Sequence, residues 1–162
     1  MGIFKKPEGE EKKHEATLKL WKAVSKNDFK LLWKAYTDGA NMNVTNERGE
    51  TPLMLCAQKG SGMVEFLLKH GADPNIKNKE GDTALIIAAK HGMNNSIRFL
   101  LENEADIELN DSIGKTAVYY AITKESKQML DEFQELINSR REQQRAIGKA
   151  DKVQEILRDL EK

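Results

Sequence analysis

Apolar residues occur in short blocks with helical spacing along this chain, and polar stretches separate the blocks. Residues 49–60 read GETPLMLCAQKG, and residues 81–92 read GDTALIIAAKHG. A glycine, a threonine, a leucine, an alanine and a closing glycine recur in step. Gly114 continues the series, because Gly49, Gly81 and Gly114 fall 32 and 33 residues apart. A period of this size indicates stacked supersecondary units.

One unit can be interpreted residue by residue. Thr51 suits a helix N-cap, and Pro52 suits the first helical position, where its missing N–H is harmless. The pattern predicts a short helix that ends at Gly60, and a second helix, MVEFLLKH, that ends before Gly71. The polar stretch over 72–82 is rich in turn-forming residues, so it predicts an extended loop or hairpin between units.

Neither short helix of a unit can bury its apolar side alone, so neighbouring units must share a core. Small residues such as Cys56 and Ala88 are expected where helices approach closely. The leucine pairs at 67–68 and 100–101 are expected to be covered by the adjacent unit. Cys56 is therefore predicted to be an inert core thiol.

The pattern G-x-T-P-L-x-x-x-A-x-x-G, followed by a leucine pair and G-A-D-x-N, resembles the ankyrin repeat. Residues 45–76 and 77–109 match well, residues 110–140 match in their first half, and residues 14–44 match mainly at their end. The resemblance implies an all-α solenoid over residues 14–140. Its stacked helix-turn-helix units, about four in number, would be joined by short β-hairpin-like loops.

The chain departs from the family pattern at two kinds of position. The family usually has histidine two residues after the proline position, where this chain has Met54, Ile86 and Tyr119. Apolar packing is expected to replace the hydrogen bonds of that histidine. Glu104 stands where other units have a C-cap glycine, at a penalty of roughly 1 kcal/mol if the left-handed conformation is kept.

The two ends differ from the central units. Residues 1–13 are predicted to be a flexible terminus, and residues 14–44 an N-terminal capping repeat. Residues 126–147 can form one long helix, and residues 141–162 form a predicted C-terminal helical extension. That extension either covers the open end of the stack or mediates docking and weak homo-oligomer formation. Its apolar stripe consists of Val153, Ile156, Leu157 and Leu160.

Composition and motifs exclude several classes of function. The 26 Lys and Arg residues balance the 26 Asp and Glu residues, which argues against a nucleic-acid partner. A single cysteine and no apolar leader or membrane span favour a cytoplasmic protein without a membrane partner. Three histidines lack ligand spacing, and phosphate-binding and nucleophile motifs are missing, so no enzyme, metal or cofactor is predicted.

The ankyrin resemblance also implies partner-binding positions. In that family they flank the loop glycine and precede the closing glycine of the first helix. Carried over position by position, they are Lys26, Glu47, Arg48, Glu50, Gln58, Lys59, Lys79, Glu80, Asp82, Lys90, His91, Ile113, Lys115 and Lys124. Trp33 is a secondary contact candidate.

One of these positions is basic in every unit, as Lys26, Lys59, His91 and Lys124. Stacked units lie about 10 Å apart, so these residues predict a basic row that attracts an acidic segment of a partner. The alternative is that these lysines merely maintain solubility.

The favoured hypothesis is a non-catalytic scaffold or adaptor that binds a partner protein on the concave face of the repeats. The alternative is an assembly protein that self-associates through its C-terminal helices. Light scattering with and without residues 140–162 distinguishes the two.

Overall fold

The structure is a computed structural model that describes residues 8–123 and, beyond them, residues 131, 133–135, 137–139, 142, 143 and 145–147. The chain divides into two compact units, Met1–Ser126 and Lys127–Lys162. The described residues of the second unit are helical. Within residues 8–123 there are seven helices: α1 (Glu8–Lys26), α2 (Phe29–Thr37), α3 (Pro52–Lys59), α4 (Met63–Lys69), α5 (Ala84–His91), α6 (Asn94–Glu102) and α7 (Ala117–Thr123).

The helices of the first unit form two rows. Helices α1, α3, α5 and α7 pack side by side in that order, and α4 packs against α6. Within each hairpin the two helices pack against each other. These pairs are α1 with α2, α3 with α4, and α5 with α6. This arrangement confirms the predicted all-α stack of helix-turn-helix units.

The helix ends follow the predicted capping residues. The Thr51 hydroxyl accepts a hydrogen bond from the backbone N–H of Met54 at 3.3 Å, and Thr83 caps α5 in the same way. Gly60 and Gly92 end α3 and α5 in the left-handed conformation, with φ of 64° and 71°. Each cap satisfies backbone groups that a short helix leaves unpaired.

Glu104 keeps the backbone conformation that glycine has in the other units. Its φ is 63°, and the corresponding glycines, Gly39 and Gly71, have φ of 86° and 89°. A side chain in this left-handed region costs roughly 1 kcal/mol. The stack therefore tolerates the strain that the sequence comparison anticipated.

Small side chains line the contacts within the row formed by α1, α3, α5 and α7. Cys56, Ala57 and Ala88 are at most 1% exposed, and Leu67 and Leu100 are completely buried. Burial raises the pKa of the Cys56 thiol to about 12. The thiol therefore stays protonated at neutral pH, as expected for a core cysteine.

The loops that precede α3, α5 and α7 share one turn geometry. The side-chain oxygens of Asn46, Asn78 and Asp111 each accept hydrogen bonds from the backbone N–H groups two and four residues later. These side chains hold the loop in an Asx-type turn. Within the described residues the loops contain turns and an isolated bridge, Asn110 to Thr116, and no β-strands.

Helix α1 begins at Glu8, earlier than the predicted start of the repeats at residue 14. Residues 148–162, which carry the predicted C-terminal stripe, lie outside the described residues. The predicted division into terminus, repeats and C-terminal extension stays a prediction.

Candidate partner-binding surface

A shallow groove lies between the units 45–76 and 77–109. Its volume is about 140 Å³, and it runs from the loop tips to the ends of α3 and α5. The groove brings together seven of the predicted partner-binding residues. They are Arg48, Glu50, Gln58, Glu80, Asp82, Lys90 and His91.

Arg48 forms the loop-side rim of the groove. Its guanidinium lies 3.8 Å from Glu50 and 3.6 Å from Glu80, and so it bridges two neighbouring loops. The Arg48 side chain is 70% exposed. Ion pairs of an exposed side chain at such distances contribute little to stability, and the Arg48 guanidinium stays accessible to solvent.

The opposite rim is formed by the ends of α3 and α5. Gln58 Nε2 lies 3.2 Å from His91 Nε2, and His91 Nδ1 lies 2.9 Å from the carbonyl oxygen of Ile87. The side-chain contact joins two adjacent units. Both Gln58 and His91 remain exposed.

A partly buried polar network adjoins the groove through Asp82 and Lys90, which line it. Lys90 Nζ donates to both carboxylate oxygens of Asp82, at 2.7 and 2.8 Å, and lies 3.5 Å from Asp111 Oδ2. Tyr120 donates its hydroxyl hydrogen to Asp111 Oδ2 at 2.7 Å. The ammonium group also lies 4.8 Å from the centre of the Tyr120 ring. The network thus connects the unit 77–109 to the unit that follows it.

The pKa shifts in this network reflect opposing effects. Burial disfavours the charged form of Lys90, but its hydrogen bond to Asp82 and the nearby charges raise its pKa overall. Burial likewise opposes ionisation of Asp111, yet hydrogen bonds from Tyr120 and from backbone N–H groups lower its pKa. The hydrogen bond to Asp111 raises the pKa of Tyr120. At neutral pH Lys90 is therefore an ammonium group, Asp111 a carboxylate and Tyr120 a neutral phenol.

The network changes the interpretation of two predicted residues. Asp82 is 3% exposed, and the Lys90 charge faces Asp82 and Asp111. Sequence reasoning missed Asp111 and Tyr120. The available signal was Asp111 itself, because it places a carboxylate where the other loops have Asn46 and Asn78.

The predicted basic row is partly described. Lys26 and Lys59 are exposed at the ends of α1 and α3, and His91 occupies the matching position of α5. Lys124, the fourth member of the predicted row, lies outside the described residues. The role of these residues in binding stays a prediction.

The remaining predicted residues lie at the loop tips. Glu47 and Lys79 are exposed, and Ile113 is 71% exposed. Lys115 Nζ lies 4.0 Å from the centre of the Tyr119 ring.

Trp33, the secondary candidate, lies on α2, in the other helix of its hairpin. It is 55% exposed, and its ring centroid lies 6.1 Å from that of Phe66 and 6.0 Å from that of Tyr36. Trp33 therefore belongs to an aromatic cluster between α2 and α4.

Within the part of the chain that the structure describes, no group of three or more His, Cys, Asp or Glu residues could hold a metal ion. The helices of the same part are all too short or too polar to span a bilayer.

Stacked helical hairpins whose loop tips and first helices line a common groove define a helical repeat protein. A family model for ankyrin repeats, comprising three copies, matches residues 20–111, which is more than half of the chain. The chain therefore belongs to the ankyrin repeat family. No curated protein matches it. Ankyrin repeats are generally protein–protein interaction modules and are typically non-catalytic.

Proposed function

We propose that this protein is a non-catalytic scaffold or adaptor that binds a partner protein on the concave face made by its loop tips and first helices. The groove between the units 45–76 and 77–109 carries the proposal. Arg48, Gln58 and His91 line it from two units and remain exposed. A partner segment in this groove contacts both units at once, and so gains from their rigid spacing.

The partner segment is acidic where it meets the ends of the first helices. Lys26 and Lys59 are exposed there and extend the face beyond the groove. Lys90 is not part of this attraction, because Asp82 and Asp111 neutralise it. Complementary charge at exposed positions mainly accelerates association and favours the correct partner.

The test first isolates the partner by affinity purification on the wild-type protein. It then compares the affinity of that partner for wild type and for the double variant Lys26→Glu, Lys59→Glu. Reversing both charges weakens binding roughly tenfold, and the loss shrinks at high salt. The matched control is Lys13→Glu, Lys30→Glu, which reverses two exposed lysines at positions outside the predicted row. Circular dichroism checks that each variant is folded.

A second variant tests the groove separately from its charge. Gln58→Trp places a large ring at the groove rim, and binding is expected to be lost. Unchanged affinity in the charge variant rejects only one part of the proposal, namely that the partner segment is acidic. Unchanged affinity in Gln58→Trp as well means that the partner binds elsewhere on the protein.

The alternative proposal, assembly through the C-terminal helices, depends on residues outside the described ones. It stays a prediction, and so does the cytoplasmic location.

A further inference from the structure

The two junctions between successive units share one backbone frame. The N–H of Lys79 donates to the carbonyl oxygen of Arg48 at 3.1 Å, and the N–H of Ser112 donates to the carbonyl oxygen of Glu80 at 2.9 Å. The two donors occupy equivalent positions of successive units, and so do the two acceptors. Side chains at equivalent positions of the two junctions can therefore be compared directly.

Equivalent carboxylates at the two junctions have different partners. Asp82 and Lys90 stand eight residues apart, as do Glu50 and Gln58 at the same positions of the preceding unit. The Lys90 ammonium group donates to both oxygens of Asp82 and lies 3.5 Å from Asp111. Gln58 carries no charge, so Glu50 lacks the lysine that its counterpart has.

The Glu50 carboxylate is largely buried and incompletely paired. Its side chain is 14% exposed. Oε2 accepts a hydrogen bond from Asn46 Nδ2 at 2.9 Å, whereas Oε1 lies 3.8 Å from the Arg48 guanidinium and accepts no hydrogen bond from the described residues. A separation of 3.8 Å is too long for a hydrogen bond. A carboxylate in this position is therefore stabilised by a cation that approaches more closely.

The groove beside Glu50 has the size and the lining that a lysine side chain requires. Its volume is about 140 Å³, and a cavity of about 150 Å³ holds one benzene molecule, so there is room for one side chain. Leu55 and Ile87 contribute apolar surface, and Glu50 and Glu80 contribute carboxylates. Lysine buries its methylene chain on apolar surface and needs acceptors for its ammonium group.

The charges around the groove also favour a cation. Asp82 and Lys90 neutralise each other, which leaves the Glu50 and Glu80 carboxylates against the Arg48 guanidinium. With histidine counted as neutral, one negative charge is therefore in excess among the residues that line the groove. Arg48 can yield its place beside Glu50, because its side chain is exposed and also pairs with Glu80 at 3.6 Å.

We propose that the partner protein places one lysine side chain in this groove, with its ammonium group on Glu50 and its methylene chain on Leu55 and Ile87. The partner's lysine then does at this junction what Lys90 does for Asp82 at the next one. The inference rests on the proposed function, since it names the side chain that anchors the partner on the concave face. The acidic part of the partner segment lies beyond the groove, at the exposed lysines of the basic row.

The test titrates isotope-labelled protein with Nα-acetyl-lysine methylamide, a blocked lysine, and follows the backbone amide signals by NMR. Signals of Glu50, Gln58 and Ile87 are expected to shift and to saturate with a Kd on the order of 10 mM, since the ligand buries a single side chain. Nα-acetyl-norleucine methylamide keeps the apolar chain without the ammonium group. It is expected to bind at least about tenfold more weakly.

Three variants locate the ammonium group. Glu50→Gln keeps an oxygen acceptor and removes the charge, so the blocked lysine is expected to bind at least about tenfold more weakly. Glu47→Gln, the matched control, removes an exposed carboxylate from the same loop and is expected to leave binding unchanged. Gln58→Lys supplies the ammonium group from the chain itself, in the arrangement of Lys90 with Asp82. It is expected to abolish binding of the blocked lysine and to raise the midpoint of thermal unfolding.

The inference is overturned if the blocked lysine causes no saturable shifts, if blocked norleucine binds equally well, or if Glu50→Gln binds as wild type does. Retained binding in Gln58→Lys overturns it as well, and thermal unfolding shows that each variant is folded. None of these measurements involves a partner protein, so they leave the proposed function to its own test. If Gln58→Trp loses the isolated partner while the blocked lysine does not bind, the groove receives a different side chain and only the lysine anchor is rejected.

Discussion

The two junctions between successive units have the same backbone contacts but different side-chain fillings. At the junction between 45–76 and 77–109 an open groove remains. At the junction with the unit that begins at residue 110, a charged network occupies the equivalent space. Four positions account for the difference, and the equivalent pairs are Glu50 and Asp82, Gln58 and Lys90, Asn78 and Asp111, and Ile87 and Tyr120.

The comparison separates two contributions. The frame, by which we mean the loop stacking, the caps and the small residues, is shared by both junctions, and the side chains between the units differ. Loop stacking, caps and small residues fix the distance between units at both junctions. Lys90 then reaches two carboxylates, whereas Gln58 reaches the neighbouring His91 and leaves space beside it. Whether a junction keeps an open groove or is filled by a charged network is thus decided by a few side chains.

The largest expected effect follows from removing the ammonium group of the network. Lys90→Ala leaves the buried Asp82 and Asp111 facing each other without their shared cation. Breaking a buried pair costs about 3–5 kcal/mol, and since Lys90 is 28% exposed, we expect a loss of about 2 kcal/mol in the free energy of unfolding. Urea unfolding followed by tryptophan fluorescence measures this loss, because Trp21 and Trp33 both lie in the compact unit Met1–Ser126.

The matched control is Gln58→Ala at the equivalent position of the open junction. Gln58 is exposed and contacts one side chain across the junction, so its removal should cost about 0.5 kcal/mol or less. Equal losses in the two variants would mean that the two junctions do not differ in the way the geometry indicates.

A smaller effect is expected from removing one negative charge. Asp111→Asn retains the turn, because Asn46 and Asn78 accept the same backbone hydrogen bonds in the other loops. It removes the charge that faces Lys90 and accepts from Tyr120. We expect a loss of about 1 kcal/mol at neutral pH, measured by the same urea unfolding.

The pH dependence of stability measures what the ionised Asp111 carboxylate contributes to folding. Folding lowers its pKa below the unfolded value of 3.8, so the unfolded state binds the proton more readily. The stabilisation is therefore present above that value and is lost as the pH falls through the folded pKa. Asp111→Asn should flatten the acid limb of the stability curve, and Asp106→Asn, a change in another loop carboxylate, should not. A limb of unchanged slope in Asp111→Asn would assign the acid sensitivity to other groups.

The sequence predicted the frame because the frame depends on local signals. Thr51 and Gly60 identify a helix from its ends, and the repeat of the same signals about 33 residues later identifies the stack. These interactions join residues within one unit or at equivalent positions of adjacent units. A single copy of the pattern therefore carries most of the information about the fold.

The network could not be predicted in the same way. Position-by-position transfer treats Lys90 as equivalent to Gln58, and so it assigned both to an exposed face. Lys90 is instead hydrogen-bonded to Asp82 and lies beside Asp111 and Tyr120, two residues of the next unit that depart from the repeat pattern. Helix α1 likewise begins at Glu8, before the repeat pattern that set the predicted boundary at residue 14.

The smallest expected effect tests the last contact of the network. Tyr120→Phe removes the hydroxyl that donates to Asp111 Oδ2 and keeps the ring beside Lys90. Asp111 retains its two backbone donors and the nearby ammonium group, so the loss in free energy of unfolding should be about 0.5–1 kcal/mol. Tyr119→Phe, at an exposed neighbouring ring, should change it by less. If the two changes have equal effects, the hydroxyl contributes nothing to the closed junction, and the contrast between the junctions depends on Lys90 and the carboxylates alone.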